Sequence, residues 1–187
     1  MKKFIFTLLA FAAVAIFAIS CASDDDTQPR PESIPSSFNS TASLKAPVLG
    51  MTNLSLDMKI TKENFPEYKE KMPMINGWIS DIINNTNSAP NSISFDGLPD
   101  GVKLSDIKFY INKSGNRNDG VFTCQNVTEN GLVRMDQRDQ FYKKILSLLV
   151  NSNDVRLTVE MTSNKDEIRS GNLIMEISAT FFTKESR

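Results

Sequence analysis

Val155-Arg156-Leu157-Thr158-Val159-Glu160-Met161 and Leu173-Ile174-Met175-Glu176-Ile177-Ser178-Ala179-Thr180-Phe181 read as two long antiparallel β-strands. Successive side chains of a strand point to opposite faces, so the alternation gathers Val155, Leu157, Val159 and Met161 on one buried face. Leu173, Met175, Ile177, Ala179 and Phe181 do the same in the second run. Ile174 and Phe182 break its polar face and are read as packing beneath a helix, with a second covered surface as the alternative. Between the runs, Ser163 to Asn172 reads as a charged, glycine-containing loop.

Working outward from these strands, the preceding stretch changes period. Phe141, Ile145, Leu148 and Leu149 recur at helical spacing, with Asp136 placed as the N-cap, Asp139 in the first turn and Asn151-Ser152-Asn153 as the stop. Lys143 and Lys144 face away from that stripe, so the helix covers a sheet on one side and meets water on the other. Upstream, Ile107, Phe109 and Ile111 share one face of a strand. Asn112 to Gly120 then forms a polar connection into a strand at Val121 to Cys124, which makes a hairpin. Ser92 to Phe95 is a short strand, and Asp96 to Gly101 a tight turn. Leu54-Ser55-Leu56-Asp57-Met58-Lys59-Ile60 alternates strictly and is a half-buried strand.

Between that strand and the loop Asn84 to Asn91, the residues Met74, Ile75, Trp78, Ile79, Ile82 and Ile83 lie three and four apart after Pro73. The spacing predicts a short helix over 74–84, weakened by Gly77, with a strand pair as the alternative. Trp78, the only tryptophan, falls on this stripe and is expected in the core. The count is six or seven strands and two helices without βαβ alternation. The fold class is therefore mainly β, a two-layer antiparallel β-sandwich with two flanking helices; one antiparallel sheet covered by helices, α+β, is the alternative.

Composition narrows the chemistry. The 187 residues contain no histidine, which removes Ser-His-Asp and Cys-His catalysis and the commonest zinc ligand together. No glycine-rich phosphate loop or metal-ligand cluster is present, so neither a metal nor a nucleotide cofactor is expected. Asn112 to Gly120 is rich in Asn but carries one carboxylate, Asp119, and lacks the ligand spacing of a calcium loop. A formal charge of −1 with lysines and arginines scattered among carboxylates offers no basic footprint for nucleic acid. Cys124 reads as a small buried apolar residue.

At the N-terminus Lys2 and Lys3 precede the apolar run Phe4 to Ile19, broken only by Thr7, a secretory signal layout. Ala18-Ile19-Ser20-Cys21 resembles the lipobox of bacterial lipoproteins, and the resemblance implies acylation of Cys21 with removal of residues 1–20. Ser23-Asp24-Asp25-Asp26 resembles the stretch that follows the lipidated cysteine in surface-exported lipoproteins of the Bacteroidetes. This implies a lipid-anchored protein of the outer membrane, expected at the cell surface, with its periplasmic face as the alternative. Losing the leader takes the formal charge to −3, and residues 21–47, rich in Pro, Ser, Thr, Asn and Gln, read as a lipidated flexible tether ahead of a globular domain at 48–187.

The function expected from these readings is a non-enzymatic binding or interaction module, its partner a glycan, an envelope protein or a hydrophobic ligand. For a glycan, Trp78, Tyr68 or Tyr110 would have to be exposed as platforms. The alternative is a carboxylate-dependent glycoside hydrolase drawing on acids such as Asp57, Asp96, Asp100 and Asp119.

Overall fold

A computed structural model describes residues 36–87 and 90–185. The order is β1 (Ser37–Pro47), β2 (Gly50–Thr61), α1 (Pro66–Lys71), β3 (Gly77–Asn84), β4 (Ser92–Asp96), β5 (Leu104–Ile111), β6 (Gly120–Thr123), β7 (Asn126–Val127), β8 (Val133–Arg134), α2 (Arg138–Asn151), β9 (Asp154–Ile168) and β10 (Asn172–Glu185). Short 3-10 turns, Lys62–Asn64 and Met72–Met74, flank α1.

The two runs that dominate the sequence become the central strands of two different sheets. β10 carries β1 along one edge, while β3 and β4 share its other edge, β3 opposite residues 179–185 and β4 opposite 172–176. β9 lies between β2 and β5, and β6 extends that sheet beyond β5. All pairings are antiparallel. The pair β1/β10 continues into the pair β2/β9 through two adjacent corners, Val48–Leu49 and Arg169–Gly171, clasped where the Val48 N–H donates to the Gly171 carbonyl at 2.9 Å. Gly50 and Gly171 take φ of 140° and 136° there, values that L side chains rarely adopt. A Cβ on Gly171 would also meet the Leu98 side chain at 2.6 Å.

The inward faces follow the alternation. Phe38, Ser40, Ala42, Leu44 and Ala46 of β1 oppose Phe181, Ala179, Ile177, Met175 and Leu173 of β10. Leu54, Met58 and Ile60 of β2 oppose Met161, Leu157 and Val155 of β9. Helix α2 packs against β3 and β9 and buries Phe141, Tyr142, Ile145, Leu146 and Leu149. Phe141 sets its ring edge to face against Phe109 and Phe122, centroids 5.7 and 5.2 Å away, tying the helix to β5 and β6. At the far end from the corners, Phe65 enters the core beneath α1 with no exposed surface and meets Phe181 edge-on at 5.0 Å.

The mainly β sandwich with two helices stands, and four local readings are corrected. Residues 37–47 belong to the domain as strand β1 and not to a tether, so the domain begins before residue 48. Their inward face includes Ser40 and Ala42, whose small side chains hide the alternation. Residues 77–84 form strand β3 and not a helix. Thr183 pairs with Ile79 and Phe182 with Asp81, so Ser80 is an extra residue, a β-bulge that puts the buried Ile79 and Ile82 three apart and imitates a helical period. Ser163 to Ile168 continue β9 instead of forming a loop: Ser163 pairs with Leu104, and the Asn164 N–H donates to the Lys103 carbonyl at 3.1 Å. Gln137, one residue after Asp136, occupies the N-cap of α2. The leader, Cys21 and the aspartate run lie outside the described residues.

Candidate functional site

The two ends of the sandwich carry different chemistry. At the corner end, the Asp96–Gly101 segment is pinned by the Ser170 hydroxyl donating to the Gly97 carbonyl at 3.2 Å and the Asn164 amide donating to the Gly101 carbonyl at 3.0 Å. The β7–β8 hairpin docks beside it through the Phe95 N–H, which donates to the Gly131 carbonyl at 2.8 Å. Between this segment and the hairpin runs a groove of about 820 Å³, whose lining includes Asp96, Asp100, Asp106 and Glu129 against a single lysine, Lys103. Asp106 sits at a β-bulge with φ 52°, and the Ser105 hydroxyl donates to its carboxylate at 3.1 Å. Leu49 and Met51, 55% and 68% exposed, stand on the same end of the molecule.

At the other end, a groove of about 540 Å³ is bordered by Trp78, Tyr68, Met72, Lys62 and Lys184. Trp78 is 50% exposed, which corrects its expected place in the core: it is the second residue of β3, on the face opposite the buried Ile79. Burial lowers the pKa of Lys62, whose ammonium donates to the Val150 carbonyl at 3.1 Å. Tyr68 is half-buried, tilted against Phe181 at 5.5 Å, and its phenol is raised by burial and by Glu63.

The remaining candidates scatter. Asp96 and Asp100 share the corner groove, but Asp57 lies on the outer face of β2, accepting from the Thr158 hydroxyl at 2.5 Å, and Asp119 accepts from the Asn112 amide at 2.8 Å in the β5–β6 loop. The face of Tyr110 is covered by the Lys113 ammonium at 4.3 Å, so it offers no free platform. That ammonium also pairs with Glu160 and holds its carboxyl below the usual range. Cys124 is half-buried and not fully buried as expected; burial raises its thiol, which donates to the Asn126 carbonyl at 3.1 Å. Among the described residues no three His, Cys, Asp or Glu side chains converge on a point that could hold a metal ion. Also among them, no helix is long and apolar enough to cross a membrane. Sequence reasoning missed Leu49 and Met51, whose only signal was a pair of large apolar residues flanking a turn glycine.

No protein-family model, curated protein or solved structure matches this chain.

Proposed function

We propose that the protein is a non-enzymatic interaction module, anchored in the outer membrane by acylation of Cys21 and displayed at the cell surface, whose corner end receives a protein partner. The observation that carries this reading is that the first described residue, Ser36, and the larger groove lie at opposite ends of β10. The chain enters the domain at Ser36, whose carbonyl accepts from the Thr183 N–H at 3.0 Å, while the groove begins at Asp96, opposite Asn172. Strand rise puts on the order of 35 Å between those levels of β10. A domain held at Ser36 therefore has its corner end free to face away from the membrane.

The chemistry of that end favours a polypeptide. Four carboxylates outweigh Lys103 in the lining and the Lys165 ammonium beside Gly101 and so attract basic segments, and the exposed Leu49 and Met51 supply the apolar contact that a protein interface needs. A glycan would look for aromatic platforms, and Phe95, the aromatic residue of the groove lining, is buried. Site-specific photo-crosslinkers at Met51 and Asn130, with one at Asn39 on the outer face of β1 as control, test this in cells expressing the full chain. Discrete adducts from the corner positions, weakened as salt rises and absent from Asn39, are expected. Equal labelling from Asn39 would sink the assignment. Hydrolysis of a glycan that is lost in Asp96→Asn or Asp100→Asn would replace it with the carboxylate-dependent enzyme.

A further inference from the structure

The Trp78 end presents a surface of another kind. β1 begins at Ser37, opposite Phe182, and Trp78 lies opposite Lys184 across the other edge of β10. Two inter-strand spacings, about 10 Å, thus separate the start of the domain from the strand bearing Trp78. Met74, 66% exposed, sits in the turn that leads into that strand. Two large apolar side chains are therefore held open beside the point where the chain leaves for Cys21. Residues 22–35 span the interval; if they act as the tether that their composition suggests, a chain of that length has a root-mean-square reach of about 20 Å, so a lipid on Cys21 would keep this end within a short distance of the headgroups. Such tethering converts even a weak contact into an intramolecular one at high effective concentration.

We propose that, with the chain anchored through Cys21, the end bearing Trp78 and Met74 seats on the lipid surface that holds the anchor, Trp78 entering the interface and the corner groove facing outward. The inference rests on the anchor reading. Tryptophan favours the level where headgroups meet acyl chains, because its ring is apolar and its N–H keeps a polar partner. Lys184 borders Trp78, and its long stem can lie along the apolar boundary with the ammonium group at the phosphates, while the Lys62 ammonium stays on the Val150 carbonyl. The surrounding charge is balanced, Lys69 and Lys71 interleaving with Glu63, Glu67 and Glu70. The seat is therefore made by insertion and not by net attraction, and it persists at high salt.

Because Trp78 is the only tryptophan, its fluorescence reports the seat directly. The processed full-length lipoprotein is reconstituted into vesicles of phosphatidylethanolamine and phosphatidylglycerol, with and without a lipid brominated near the top of its acyl chain. Intact mass is read on the same sample. Acyl mass at Cys21, a blue-shifted emission and loss of intensity with the brominated lipid, unchanged by high salt, are expected. In a Trp78→Phe, Leu49→Trp reporter the new tryptophan at the corner end should be neither shifted nor quenched. Acylated chain with water-like, unquenched Trp78 emission overturns the seat alone, as does equal quenching of both reporters. An emission change on adding a soluble glycan, without bromolipid quenching, overturns it in favour of a sugar site. Absence of acyl mass overturns the anchor, and the seat with it.

Discussion

Replacing Tyr142 by phenylalanine should stabilise this domain, although removing a buried hydroxyl usually does the reverse. Tyr142 has no exposed surface, and its hydroxyl is the one buried side-chain polar atom among the described residues without a hydrogen-bond partner. A buried polar group left unpaired costs roughly 1–3 kcal/mol, while the ring, packed edge-on against Phe141 at 5.2 Å, is retained by phenylalanine. Allowing for the small void left by the oxygen, the net gain is about 1 kcal/mol. In urea that is a midpoint shift of about 0.5 M at unchanged slope, or about 2–4 °C in Tm for a domain of this size.

The same residue sets a pH dependence. Burial pushes the Tyr142 phenol far above its ordinary value of 10.0. Above that pH the unfolded chain loses a proton that the folded protein keeps, so native stability falls as pH rises, by up to about 1.4 kcal/mol per unit for this one group. Tyr142→Phe lacks the loss, and its advantage should be flat from pH 6 to 9 and widen above 10. Tyr68, raised in the same direction, is present in both proteins and cancels. Urea titrations of both proteins across this range would decide it. A destabilised variant, or an advantage that does not grow in alkali, would mean that the hydroxyl is satisfied and the reasoning wrong.

Gly131→Ala should cost about 3 kcal/mol or more by thermal melt, because φ is 76° and a Cβ would lie 2.1 Å from the Phe95 carbonyl; Gly115→Ala, at φ 59° in open space, should cost only about 1. Asn91→Ala should lose about 1–3 kcal/mol in urea, since the Asn91 side chain accepts from the Ser178 N–H at 2.6 Å and donates to Asn84, bridging the gap where β3 and β4 part along β10. Limited proteolysis of the processed chain should leave a stable core whose N-terminus lies before Ser37, because β1 is fully paired with β10; cleavage within 38–46 would contradict that strand.

What could be read from the sequence follows side-chain size. Val155 to Met161 and Leu173 to Phe181 announce themselves because large apolar residues alternate without interruption, and α2 because its stripe holds for two turns. β1 was hidden by Ser40 and Ala42, which face inward yet carry little apolar surface, Ser40 instead bonding to Glu67 of α1. β3 was misread because the bulge at Ser80 turns a period of two into a spacing of three, a tertiary adjustment made against β10 that no local pattern records. The same error sent Trp78 to the core. Asp96 and Asp100 fell together because they bracket one turn, whereas Asp57 and Asp119 belong to other surfaces, and no sequence rule could have sorted them. Tyr142 lay outside the stripe of helix positions chosen from spacing and is nonetheless fully buried, because α2 is enclosed on a wider arc than a one-sided cover requires.

The proposed function and the proposed membrane seat both rest on anchored display. Intact mass with protease shaving of whole cells, comparing the native chain with Cys21→Ala, tests it most directly. Acyl mass on a chain beginning at Cys21, loss of the native domain to external protease, and loss of the anchor in the variant are expected. A chain without acyl mass, or an acylated one shielded from protease, would contradict the anchor or the surface display respectively.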